Sequence, residues 1–153
     1  MTVVATPDLG AAILIRMRDC TDLVTAIGSS QRIFLEWPKG LVVPDSTGKF
    51  LNCLLIETGK GGQGYIGLGL IEERVTLKFY GANRKTANDL YRIGNSYLIQ
   101  PTERVTSSFR AANCRVNIVE AENQGLRLED PSASKWPFVE ASYIFTYGAI
   151  PLS

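Results

Sequence analysis

The sequence contains no histidine, and this absence removes several kinds of chemistry. Histidine is the commonest general base, a frequent zinc ligand, and the usual base beside a serine or cysteine nucleophile. Cysteine is scarce as well: Cys20, Cys53 and Cys114 stand alone within apolar stretches, with no C-x-x-C spacing. Isolated cysteines in odd number predict buried free thiols in a reducing compartment. We therefore expect no metal site and no bound cofactor.

A surplus of charge of one sign is also lacking. Sixteen basic and fifteen acidic residues among 153 give a net charge of +1, without runs of like charge. No overall attraction to nucleic acid or to anionic lipid is expected. The first residues, MTVVATPDLG, have no basic segment before an apolar one, and the apolar run that follows stops at Arg16. We expect neither a signal peptide nor a membrane span, and a single domain over residues 1–153.

Glycine, in contrast, is concentrated in one place. Residues 58–70 read TGKGGQGYIGLGL, with six glycines in thirteen positions. The spacing fits a dinucleotide fingerprint, but that motif must lead into a helix, and the residues that follow alternate like a strand. A kinase-type flap would need a lysine strand and an Asp-Phe-Gly magnesium site, which the chain lacks. The pattern predicts a flexible hairpin tip, and its apolar Tyr65, Ile66 and Leu68 dock on a neighbouring subunit or fold over the protein's own sheet.

Hydrophobic periodicity predicts helices first and then strands. Thr6 is a candidate cap for a first helix, a second helix ends at Gly28, and Asn83 caps a long helix that stops at Pro101. Strands are predicted at Arg32–Trp37, Leu51–Thr58, Leu70–Tyr80, around Cys114–Ile118, and at Phe138–Tyr147, with Leu126–Leu128 as a short partner across the turn Asn123–Gly125. The fold class is therefore α+β, a mainly antiparallel sheet with an N-terminal helix and one long helix packed on one face.

Charged and aromatic residues offer few candidates for a site. Glu72 and Glu73 are adjacent on a predicted strand and point to opposite faces, so they cannot act on one bond, and Glu120 and Glu122 are expected to be solvated. Trp37 and Trp136 are expected to anchor strand ends in the core. Arg84 and Lys85 lie near the positive end of the long helix, as a solvated turn or as a contact for an acidic partner.

Several fragments together resemble the tail completion or tail terminator proteins of long-tailed bacteriophages. They are DLVTAIGSSQRIFLEWPKG, the strand LNCLLIETG, the glycine-rich loop, ERVTLKFYGANRKTANDLYRIGNSY and the final strand FVEASYIFTYG. The resemblance covers nearly the whole chain and rests on the order of elements rather than on catalytic residues. It departs in residues 102–136, which are longer than in the shortest members of that family.

The resemblance implies a virion structural protein rather than an enzyme. Such a protein assembles as a ring, commonly a hexamer, on the head-proximal end of the tail tube and joins the tail to the head connector. Its partners would be copies of itself, the tail tube protein and the connector or stopper protein, with DNA passing through the ring and no sequence-specific contact to it. The expected location is the tail-head junction of the virion, after assembly in the host cytoplasm. Tyr65, Ile66, Leu68, Arg84 and Lys85 are the candidate subunit or tail-tube contacts.

Other functions remain open at this point. The chain could be another neck or tail component, such as a head-tail connector, or a small domain that binds a ligand or a nucleotide. A nucleic-acid role would require six basic residues to gather on one face of the fold. They are Arg84, Lys85, Arg92, Arg104, Arg110 and Arg115.

Overall fold

A computed structural model describes residues 6–59, 62–65, 69–99, 109–130 and 135–149 of the chain. Within these ranges lie three α-helices: α1 (Leu9–Arg18), α2 (Thr21–Ile27) and α3 (Arg84–Leu98). A short 3-10 turn at Ser30–Arg32 leads into the strands. The strands are β1 (Ile33–Phe34), β2 (Cys53–Glu57), β3 (Gly62–Tyr65), β4 (Leu70–Tyr80), β5 (Phe109–Ala111), β6 (Cys114–Ala121), β7 (Leu126–Asp130) and β8 (Trp136–Ala149). The chain is a mixed α+β protein, as predicted.

The helix ends are fixed by local hydrogen bonds and by one glycine. Asp8 Oδ1 accepts from a first-turn backbone N–H at 3.0 Å, so Asp8 caps α1 and the prediction of Thr6 was wrong. Asn83 Oδ1 accepts in the same way at 2.9 Å and caps α3, as predicted. The helix α2 ends at Gly28, whose φ of 99° lies in the left-handed region that glycine favours.

The strands form one mostly antiparallel sheet in the order β1-β2-β4-β8-β6-β5, with β3 paired to β4 and β7 paired to β8. The two long strands β4 and β8 lie at its centre and pair from Leu70 opposite Gly148 to Tyr80 opposite Phe138. Along the other side of β4 lie β2 and then β3, so the predicted hairpin between β2 and β4 is confirmed. Along the other side of β8 lie β6 and β7. The pair β1 and β2 is parallel.

The strand β7 pairs differently from the prediction. Residues Leu126–Leu128 were expected to pair across a turn with the strand around Cys114, but β7 pairs with β8, and Leu126 lies opposite Glu140. Between β6 and β7 the backbone N–H of Glu122 donates to the carbonyl of Ser142 at 2.9 Å. The fourteen-residue strand β8 is long enough to accept both β6 and β7 along one side, one after the other.

A β-bulge interrupts β6. The predicted alternation holds for Cys114 and Val116, which are buried. The register then shifts between Val116 and Ile118, where one extra residue enters the strand. Ile118 therefore faces the opposite way and is 49% exposed, while Val119 takes the buried position.

One face of the sheet shares a continuous core with the helices. Alternate residues of β4 and β8 join buried residues of α1, α2 and α3 in a single hydrophobic cluster. This face is the inner face, and the opposite one is the outer face. The inner-face residues predicted from alternation are buried, with Ile71 only partly so: Ile71, Val75, Leu77 and Phe79 on β4, and Val139, Ala141, Tyr143, Phe145 and Tyr147 on β8.

A second, smaller cluster lies on the outer face at one end of the sheet. Trp136 is buried there at the start of β8, as predicted, and its indole N–H donates to the carbonyl of Leu51 at 3.0 Å. Trp37 packs on Tyr80 with ring centroids 5.1 Å apart. Trp37 is nevertheless 40% exposed, and it follows β1 instead of ending it. The predicted strand to Trp37 was too long because β1 pairs with β2 at two positions only.

Candidate interaction surface

The glycine-rich stretch contributes a strand to the sheet. Gly62–Tyr65 pair with Leu70–Glu73 and so extend the β2–β4 hairpin beyond β2. Because β2 covers only half of β4, the glycine backbone completes the remaining ladder, and the hairpin tip is shorter than predicted. The backbone of Tyr65 lies in β3, whereas Ile66 and Leu68 lie outside the described residues. Their predicted contact with a neighbour stays a prediction.

Arg84 and Lys85 both have carboxylate partners within the chain. Arg84 donates to Glu129 of β7 at 2.6 Å, and this ion pair lowers the pKa of Glu129 below its usual value. Lys85 pairs with Asp89 one turn further along α3, at 3.0 Å. Exposed pairs of this kind contribute little to stability. The acidic groups that these two residues favour are thus supplied locally, and their role at an interface stays a prediction.

Two strands are outermost on their sides of the described sheet. β1 covers part of the outer edge of β2, and β5 covers the first residues of β6. Among the described strands, β3 pairs with β4 alone and β7 with β8 alone. A strand edge that no neighbour covers presents backbone N–H and carbonyl groups that can pair with another chain. The edges of β3 and β7 lie on opposite sides of the sheet.

Exposed apolar side chains accompany the β7 edge. Ile118 on β6 is 49% exposed, and Leu126 and Leu128 on β7 are 53% and 42% exposed. The register places them opposite outer-face positions of β8: Ile118 opposite Thr146 and Leu126 opposite Glu140. These three residues, the β6–β7 apolar stripe, therefore lie on one face beside an uncovered strand edge. Large apolar side chains grouped in this way are typical of surfaces that bind another protein.

Sequence reasoning did not include the β6–β7 apolar stripe in the candidate site. Alternation from Cys114 places Ile118 in the core, and only the bulge moves it outward. Leu126 and Leu128 were expected in a short hairpin strand, in which their exposure was not defined. The one feature that could have indicated them is the alternation L-R-L-E-D at positions 126–130, which separates apolar from charged side chains.

The acidic residues considered at the sequence level do not converge. Glu73 lies on the inner face, where it accepts a hydrogen bond from the Tyr147 hydroxyl at 3.2 Å, so the expectation that it is solvated was wrong. Glu122 binds Arg74 at 2.7 Å. Within the described ranges no group of histidine, cysteine and carboxylate side chains could hold a metal ion.

The cysteines are buried and poorly suited to nucleophilic chemistry. Burial raises the pKa of Cys53 to about 12 and that of Cys114 to about 11. A nucleophilic cysteine needs a lowered pKa, because the thiolate is the reactive form. The prediction of buried free thiols is confirmed.

The six basic residues that a nucleic-acid role would require are dispersed. Arg84 and Lys85 are at the start of α3, Arg92 is exposed further along the same helix, and Arg104 lies outside the described residues. The register of β5 and β6 brings together Arg110 and Arg115.

Comparison with protein-family models gives no match, and comparison with curated proteins gives none either. No helix in the described part of the chain is both long enough and apolar enough to cross a membrane.

Proposed function

We propose that the protein is a virion structural component that assembles as a ring at the head-proximal end of a phage tail tube and joins the tail to the head connector. The resemblance to tail terminator proteins supplies the biological setting. The observation that carries the self-association is the β6–β7 apolar stripe, which lies beside an uncovered strand edge. The buried thiols and the dispersed carboxylates of the described residues are consistent with a role that needs no catalytic group.

A head-to-tail contact between the two uncovered edges would generate such a ring. The β7 edge of one copy and the β3 edge of the next lie on opposite sides of their sheets, so pairing them joins different surfaces of identical subunits. Contacts of this heterologous kind close into a ring when the rotation between subunits divides a full turn. We infer further that the three helices lie together on the inner face, which leaves the outer face and the strand edges for assembly.

The magnitude of the stripe's contribution favours cooperative assembly. Its three side chains are each about half exposed, so covering them yields about 1 kcal/mol apiece, or about 3 kcal/mol per contact. Bringing two subunits together costs about 4–15 kcal/mol in lost translational and rotational freedom. A single contact is therefore weak, whereas a closed ring gains one extra contact for the same number of subunits. Small open oligomers should be scarce.

Deleting the coding sequence from the genome that encodes the chain tests the function. Particles made without the protein should contain filled heads and separate tails, and expression of the protein from a plasmid should restore joined particles. A variant with Ile118→Asp and Leu126→Asp should fail to restore them, while Ile15→Asp on the exposed side of α1 should restore them. Joined particles of normal tail length in the absence of the protein would contradict the proposal.

A further inference from the structure

Two arginines lie directly opposite each other on the β5–β6 hairpin. The register pairs Arg110 with Arg115, so both side chains emerge on the same side of the hairpin with Cβ atoms about 5 Å apart. Like charges in directly opposed positions are unfavourable. The two-residue turn that fixes this register has positive φ angles at both Ala112 (50°) and Asn113 (61°). The hairpin therefore holds the two positive charges side by side.

Neither arginine has a polar partner in the described part of the chain. Arg110 and Arg115 make no hydrogen bond and no ion pair there, in contrast to Arg74 and Arg84, which bind Glu122 and Glu129. Arg115 Nε is buried and lacks an acceptor, and among the described residues no other buried side-chain nitrogen or oxygen does. A buried donor without an acceptor is costly, especially on a charged group. Packing of the arginine stem would account for its position but not for the unpartnered Nε.

The two side chains line an open cleft at the edge of the sheet. The cleft has a volume of about 380 Å³, and its lining residues are Phe109, Arg110, Arg115, Val116 and Asn117. On the other side of Arg115 the cross-strand neighbour is Gly148, which has no side chain to cover the guanidinium. A small polar group can therefore reach the arginines from solvent.

We propose that Arg110 and Arg115 form a binding site for an oxyanion. A guanidinium presents parallel N–H groups that match two oxygens of one carboxylate or phosphate, and here Arg115 Nε would obtain the acceptor it lacks. The bound negative charge also compensates the opposed positive charges. A free phosphate ion and a carboxylate on a second copy of the chain offer this same chemistry. The inference stands apart from the proposed function, because the site needs no ring.

The test follows the arginine Nε–Hε resonances by NMR during titration with inorganic phosphate, against sodium chloride at equal ionic strength. Arg115→Lys removes one resonance and so assigns it. That resonance should shift saturably with phosphate, with a Kd of about 1 mM or lower, and not with chloride. Arg110→Gln should weaken the response at least tenfold, whereas the control Arg92→Gln, which removes an exposed arginine of α3, should leave it unchanged.

A dilution series without phosphate distinguishes the two sources of the oxyanion. A carboxylate from a second copy would shift the Arg115 resonance with protein concentration, and added phosphate would reverse that shift. A free anion would give a response to phosphate alone. A resonance that is the same in phosphate and chloride at every protein concentration would overturn the proposal, as would an unchanged affinity in Arg110→Gln.

Discussion

Replacing Gly94 by alanine should destabilise the protein although glycine is a poor helix former. Gly94 lies within α3, where an unhindered change to alanine would stabilise by about 1 kcal/mol. A Cβ at this position would lie 2.5 Å from Cε1 and 2.8 Å from Cζ of the Phe79 ring. Favourable carbon contacts need about 3.5–4.0 Å, so the helix and β4 would have to separate by about 1 Å.

Overpacking of this kind costs about 1–3 kcal/mol, which leaves a net loss of about 1 kcal/mol for Gly94→Ala. In a domain of this size that loss lowers Tm by about 3 °C. Urea unfolding followed by circular dichroism measures it, with Ser96→Ala on the exposed side of α3 as the control, which should be neutral or slightly stabilising. Adding Phe79→Leu should recover about 1 kcal/mol in a double-mutant cycle. Stabilisation of about 1 kcal/mol by Gly94→Ala alone would refute the close packing of α3 on β4.

Two further predictions concern the hairpin turn and the thiols. Ala112→Asn should stabilise the protein by about 0.5–1 kcal/mol in the same unfolding assay, because asparagine tolerates the left-handed backbone at φ 50° better than alanine does; an unchanged or lower stability would contradict it. Cys53 and Cys114 should resist a thiol reagent at about pH 8 until the protein unfolds, since their pKa values are raised to about 12 and about 11. Stability should fall as the pH rises above about 9, where the unfolded thiols ionise and the folded ones do not; rapid labelling of the native protein would show that the thiols are accessible.

The elements with strong local patterns were predictable from the sequence. The helix α3 has a polar cap at Asn83 and a regular apolar stripe, and β4 and β8 alternate over long stretches, so their type and inner faces follow from periodicity. The N-cap of α1 was misassigned by two residues because Thr6 and Asp8 are both good caps and only the backbone path selects between them.

Features that depend on tertiary pairing could not be predicted in the same way. The bulge before Ile118 leaves no mark in the alternation, because one inserted residue is indistinguishable from a change of face. The exposure of Leu126 depends on which strand β7 joins, and the opposition of Arg110 and Arg115 depends on a turn without the usual glycine. The candidate surface therefore became visible only in the structure, while the absence of histidine already argued against several catalytic mechanisms.

The central claim is that this chain assembles with copies of itself through the β6–β7 apolar stripe and the neighbouring strand edge. Sedimentation velocity over a wide concentration range tests it most directly, with the wild type, the Ile118→Asp and Leu126→Asp double variant, and Ile15→Asp as a control of similar exposure (45%) on α1. The wild type and the control should convert from monomer to one closed species of fixed mass, and the double variant should remain a folded monomer. A double variant that assembles as readily as the wild type, or a wild type that stays monomeric at every concentration, would contradict the claim.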